Sequence, residues 1–150
     1  MNAALHFTDC GLDNVYLVNG FHYGQTGNGE EVLVIQDLAG LHVAIARVVT
    51  ESPQQLDAKT FKFLRKHLDM AQRQIAEVLG VTEESVSLWE RARQPVPKYA
   101  DLILRTLVKE KCSGNAELVR AIERYNELDR DEHEDQLRLQ LDQDAWREAA

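Results

Sequence analysis

The residues with the most chemical capacity lie in three short groups. Thr82-Glu83-Glu84-Ser85-Val86-Ser87-Leu88 sets two carboxylates, two serine hydroxyls and a leucine ahead of Trp89 and Glu90. Gln72-Arg73 supplies an amide and a guanidinium upstream, and Arg91, Arg93 and Lys98 supply three cations downstream. Carboxylates, hydroxyls and amides exchange hydrogen bonds with base edges, an apolar tip can touch a thymine methyl, and cations neutralise phosphates. The chain has no phosphate loop, no nucleophile elbow and no clustered Ser/His/Asp or metal-ligand set. Recognition, not catalysis, is the chemistry these residues suit, and an enzyme is not expected.

Two helices must position them. Ile75, Ala76 and Leu79 share one face of a short helix, with Ala76 small where a partner helix crosses closely. Gly80 is the natural residue for a left-handed helix end, and Val81 fills the turn. Thr82 is placed to cap the next helix, with Ser85 where a full capping box has Glu. Val86 and Trp89 point inward, which leaves Glu83, Glu84, Ser85, Ser87 and Leu88 outside. So short a turn makes the helices cross steeply, and the second stands proud of the domain, as a helix that enters a major groove must. Glu83 and Glu84 suit the positive end of the helix dipole but repel phosphate. One is expected to accept from a cytosine N4 and the other to be structural. Glu90 is expected to pair with a nearby Arg.

The pattern Gln72-x-x-Ile75-Ala76-x-x-Leu79-Gly80-Val81-Thr82-x-x-x-Val86-Ser87-x-Trp89-Glu90 resembles the helix-turn-helix of the lambda-repressor-like (Xre, or Cro/C1-type) regulators, over about Leu56 to Lys111. The preceding FKFLRKHL and the later RQPVP resemble the DNA-binding half of the MqsA-type antitoxin regulators. This resemblance implies that Gln72 grips a phosphate together with the free N–H groups of its helix, and that Arg73 adds a charge contact. It presents the helix from Glu83 to Glu90, with Thr82 at its start, to the groove, with Ser85 and Ser87 reaching phosphate or a base edge and Leu88 at a base-contact position. It sets Arg91, Arg93 and Lys98, in a loop marked by Pro95 and Pro97, as a backbone clamp. MqsA-type proteins carry a zinc domain built on paired CxxC motifs. Neither pair is present here, so no metal and no cofactor are expected. His6-x-x-x-Cys10 is the only ligand-like spacing among His6, Cys10, His22 and His42.

The charge is distributed accordingly. The chain carries −8 overall, yet residues 56–111 balance at +3, between −5 for residues 1–55 and −6 for residues 112–150. Only the helix-turn-helix segment suits a phosphate surface. No apolar run is long enough for a bilayer, the N-terminus does not read as a signal peptide, and Cys10 and Cys112 lie far apart. A reduced, cytoplasmic protein is expected.

The fold expected is mainly α: a five-helix lambda-repressor-like domain over 56–111, a small ββα module over 1–52, and a C-terminal helix with an acidic tail over 115–150. In the module, Val15–Val18 and Glu31–Ile35 read as strands joined by the Gly-rich NGFHYGQTGNG, and Asp37 caps a helix from Leu38 to Val49. Glu51 to Gln55 reads as a linker. Asp57 caps a helix with Phe61, Leu64 and Leu68 inward and Lys62, Arg65 and Lys66 outward. Leu102, Ile103, Leu107 and Val108 line a further helix. Leu118, Val119, Ile122, Tyr125 and Leu128 line the last, before the acidic DRDEHEDQ and the apolar Leu137, Leu139, Leu141 and Trp146. His67 and His133 read as surface residues.

The function expected is that of a sequence-specific double-stranded DNA-binding regulator, a homodimeric repressor with its recognition helices about 34 Å apart on a palindrome and with the ββα module and the helix after Gly114 as competing dimer surfaces. Two alternatives are an antitoxin, whose acidic C-terminal segment binds a basic toxin, and a protein-interaction adaptor that keeps the helix-turn-helix as scaffold.

Overall fold

A computed structural model describes residues 4–128 and 137–149. Six helices occur among them, α1 (Leu38–Glu51), α2 (Ala58–His67), α3 (Gln72–Leu79), α4 (Glu83–Glu90), α5 (Lys98–Ser113) and α6 (Glu117–Leu128). Three antiparallel strand pairs accompany them: β1 (Leu5–His6) with β2 (Tyr16–Leu17), β3 (Phe21–Gln25) with β4 (Glu31–Ile35), and β5 (Leu139–Asp142) with β6 (Ala145–Glu148).

The N-terminal part departs from a ββα module. The Gly-rich stretch expected as one long connection contains β3, which pairs with β4 from Phe21 opposite Ile35 to Gln25 opposite Glu31. Only Thr26 to Glu30 forms the turn, closed by the Thr26 N–H on the Glu30 carbonyl at 2.8 Å. Phe21 and Ile35 pack against the core, and burying that apolar pair outweighs the glycine content of β3. The expected first strand shortens to Tyr16–Leu17 and pairs with Leu5–His6 instead. His6 is engaged there, its ring Nε2 2.6 Å from the Asp13 carbonyl oxygen and its face stacked on Tyr16. Among the described residues no three His, Cys, Asp or Glu side chains gather as a metal set.

Helix ends follow local chemistry. Asp37 Oδ1 accepts from the Gly40 N–H at the start of α1. Asp57 and Thr60 cap α2 reciprocally, with Oδ1 accepting from the Thr60 N–H and the Thr60 hydroxyl oxygen accepting from the Asp57 N–H. Gly80 turns left-handed after α3, and Thr82 Oγ1 accepts from the Ser85 N–H at the start of α4.

The core is built from Phe61, Leu64, Ile75, Val86, Leu104, Leu107 and Val108, all fully buried. Residues 56–111 supply four helices to it, not five; the fifth is α1, which packs on α2 and α5. The cause is a polar staple. Arg105, on α5, donates to the carbonyls of Thr50 and Ser52 at 2.8 and 2.6 Å and to that of Gln54, and it pairs with Asp101. Asp101 also accepts from the Leu56 N–H at 2.8 Å. The segment expected as a linker is thereby fastened to α5, because the last carbonyls of a helix have no donors within it.

Three further expectations are corrected by packing. Leu102 is exposed, and Leu104 takes its place in the core. Arg65 is buried instead of facing out. His67 is half-buried, stacked on Phe63 with 6.4 Å between ring centroids. At the C-terminus, α6 lays Leu118, Val119 and Ile122 against the core. The segment that follows the acidic run forms a hairpin where a tail was expected. The acidic run itself, with His133, lies outside the described residues.

His67 has a consequence for pH dependence. Burial, then Lys111 and His42, lower its pKa below the usual 6.5, against a smaller opposing pull from Asp69. Below the unfolded value the unfolded chain binds the proton more readily, so this contribution to stability is intact above about pH 6.5 and is lost as pH falls through the folded value. Urea melts from about pH 8 to about pH 5 are expected to show a steeper acid loss in the wild type than in His67→Gln.

Candidate nucleic-acid interface

The α3–α4 pair is held by a buried polar knot. Arg65, at the end of α2, forks onto the carboxylate of Glu90, the last residue of α4, with Nε to Oε2 at 2.6 Å and Nη2 to Oε1 at 2.8 Å. Its Nη1 donates to the Met70 carbonyl at 2.8 Å, and Gln72 Nε2 donates to Glu90 Oε1 at 3.2 Å. The Arg65 and Glu90 side chains are only 9% and 3% exposed, so both charges are withdrawn from water and depend on each other. The knot joins the end of α2, the loop after it, the start of α3 and the end of α4. Beneath it Trp89 packs edge-on against Phe61 at 5.7 Å, and Val86 is fully buried. Together these fix which face of α4 looks outward.

That face carries Glu83 and Glu84, both exposed and without an ion pair among the described residues, and half-buried Ser85, Ser87 and Leu88. The hydroxyls are not idle. Ser85 Oγ lies 2.9 Å from the capping Thr82 Oγ1, and Ser87 Oγ accepts from Arg91 Nε at 3.2 Å. Gln72 stands at the start of α3 as expected, but its amide is shared with Glu90, so one of its two N–H groups is spent on the knot. Arg73 beside it is exposed, with only a loose 3.6 Å approach to Glu77.

The three downstream cations are all exposed, and they arise from different elements. Arg91 is the cap residue just after α4, Arg93 follows a reversal at Ala92, and Lys98 is the first residue of α5, not a loop residue. The reversal is specific. The Arg93 N–H bonds the Leu88 carbonyl at 2.9 Å and the Ala92 N–H bonds that of Trp89 at 3.2 Å, with Ala92 at φ +57°. This is a Schellman end built on a residue with a Cβ in the left-handed region. Ala92→Gly is therefore expected to raise stability by about 1 kcal/mol, read as a higher urea midpoint at unchanged slope.

Glu90 pairs with an Arg as expected, but that Arg is Arg65, which the sequence reading turns outward and does not place at the site. A signal existed: Arg65 falls four residues after Phe61 and one after Leu64, on the inward stripe of α2, where an unpaired cation cannot stay.

Residues 61–107, from within α2 to within α5, match the helix-turn-helix family model. No curated protein and no solved structure matches the chain. The matched segment is a helix-turn-helix unit, with α3 and α4 as its two helices and α4 in the position of the projecting one. A DNA-binding regulator is the class of protein this unit supports. No helix among the described residues is long and apolar enough to cross a membrane.

Proposed function

We propose that this protein is a sequence-specific double-stranded DNA-binding transcriptional regulator, acting as a dimeric repressor on a palindromic operator. The observation that carries the reading is the outward face of α4. It is rigidly anchored by Trp89 and the Arg65–Glu90–Gln72 knot, it is accessible from Glu83 to Leu88, and it belongs to the one cationic third of the chain. In this reading α4 enters the major groove, Leu88 meets a thymine methyl, and one of Glu83 and Glu84 accepts from cytosine. Gln72, Arg73, Arg91, Arg93 and Lys98 hold flanking phosphates, while Thr82, Ser85 and Ser87 set the start of α4 and complete the contacts at its edge.

The two carboxylates also favour a second reading, a protein-interaction adaptor on a helix-turn-helix scaffold, because they repel phosphate from the tip of α4. Selection of bound duplexes from a random pool at low salt separates the two. Enrichment of a palindrome supports the regulator, and a changed base preference in Glu83→Ala or Glu84→Ala identifies the residue that reads cytosine. Recovery of the unselected pool leaves the adaptor.

A further inference from the structure

We infer that the open edge of β4 docks an extended, basic segment of a partner protein as an added strand, with two adjacent cations of that segment set against Glu30 and Glu31. The surface is separate from α4 and does not depend on the DNA reading. Among the described residues β4 pairs with β3 alone, so its other edge is open. The bonds that close the hairpin at its two ends run from the Thr26 N–H to the Glu30 carbonyl and from the Gln36 N–H to the Gly20 carbonyl, both at 2.8 Å. They engage the two residues that flank β4. Bonded positions alternate along an antiparallel ladder, so the N–H and C=O groups of Glu31, Leu33 and Ile35 point away from β3. The edge is apolar on both faces, with Leu33 and Ile35 on one and Val32 and Val34 on the other. Val32, Leu33 and Val34 are exposed. A β-rich edge with no Pro or Lys to blunt it is a template for a further strand.

Charge selects the occupant. Successive residues point to opposite faces, so Glu30 and Glu31 set one carboxylate on each face at the turn end of the edge. Both residues are exposed, and neither has an ion pair among the described residues. Residues 1–46 carry five carboxylates and no Lys or Arg. An added strand with Lys or Arg at two consecutive positions there puts one cation on each face, beside one carboxylate. Its remaining residues lie along the apolar stretch from Val32 to Ile35. A second copy of β4 fits less well. Paired antiparallel about Leu33, it sets Ile35 opposite Glu31 and Gln36 opposite Glu30, and it brings no cation. A nucleic acid is repelled by the same carboxylates and has no peptide groups to continue the ladder.

A random-peptide library displayed on phage, panned at low salt against the full chain, is the test. The peptides expected are β-rich and apolar, with two adjacent cations at one end. Leu33→Pro removes an N–H that points away from β3, so it spares the hairpin's own ladder and blocks an added strand. It is expected to weaken binding of a selected synthetic peptide by about tenfold or more, with an unchanged far-UV spectrum. Glu30→Lys with Glu31→Lys leaves the backbone edge intact and carries the test if the proline loosens the hairpin. It is expected to turn the selection toward peptides with two adjacent carboxylates. Enrichment of no peptide, enrichment without the cation pair, or equal binding by the wild type and both variants overturns the proposal. So does a dimer in sedimentation that Leu33→Pro dissociates, since it assigns the edge to a second copy.

Discussion

Glu90→Ala is expected to destabilise the helix-turn-helix domain by about 3–5 kcal/mol, because it strands a buried guanidinium. In the intact protein Arg65 is 9% exposed, and two of its nitrogens are satisfied by Glu90. Without the carboxylate, the charge must move into water, dragging the end of α2 from the core, or stay buried and unpaired. Gln72 loses its acceptor in the same step. Domains of this size are stable by only about 5–15 kcal/mol, so the loss takes a large share of what holds α4 in place. Urea unfolding followed by far-UV circular dichroism measures it. The double substitution Arg65→Met with Glu90→Leu separates stability from orientation. An apolar pair removes both charges together and is expected to recover most of the lost stability. It does not restore the fork that sets the end of α4, so duplex affinity is expected to stay below that of the wild type. A Glu90→Ala midpoint indistinguishable from wild type would show that the knot is not stabilising as its burial implies.

The second large effect is on binding. Replacing Arg91, Arg93 and Lys98 together by Ala is expected to lower the salt dependence of duplex affinity by about 3, roughly 1 for each phosphate no longer neutralised. Affinity should fall most at low salt and equally for all sequences, because phosphate contacts position the protein without reading bases. The three cations are exposed, so folding should be little changed. Arg91 also bonds Ser87 Oγ, and its removal frees that hydroxyl. Titrations of a selected duplex at several salt concentrations, with a scrambled duplex alongside, give both quantities. An unchanged slope would remove these residues from the interface. Weakening confined to the selected sequence would make them base readers.

Much of this site was legible because its determinants are local. A cap needs one acceptor a few residues from its donor, so Asp37, Asp57 and Thr82 announce three helix starts. A left-handed end favours glycine, so Gly80 announces the turn. The inward stripe Ile75, Ala76, Val86 and Trp89 follows from helical period alone, and once these are buried the outward set on α4 is the remainder. Where periodicity misled, a longer-range competitor won. Leu102 is as apolar as Leu104, but α5 turns the latter toward the core. β3 hid among glycines until β4 supplied its partner.

The amino-acid sequence by itself determined the helix-turn-helix, the exposed composition of α4 and the cationic third of the chain, since caps, period and charge count act within a few residues. Tertiary structure decided the rest. The Arg65–Glu90 fork spans 25 positions, and the Arg105 bond to the Thr50 carbonyl spans 55. Whether a charged side chain faces water or a partner is settled only when distant backbone surrounds it and removes the water. That is why Arg65 became an anchor and α1 joined the core.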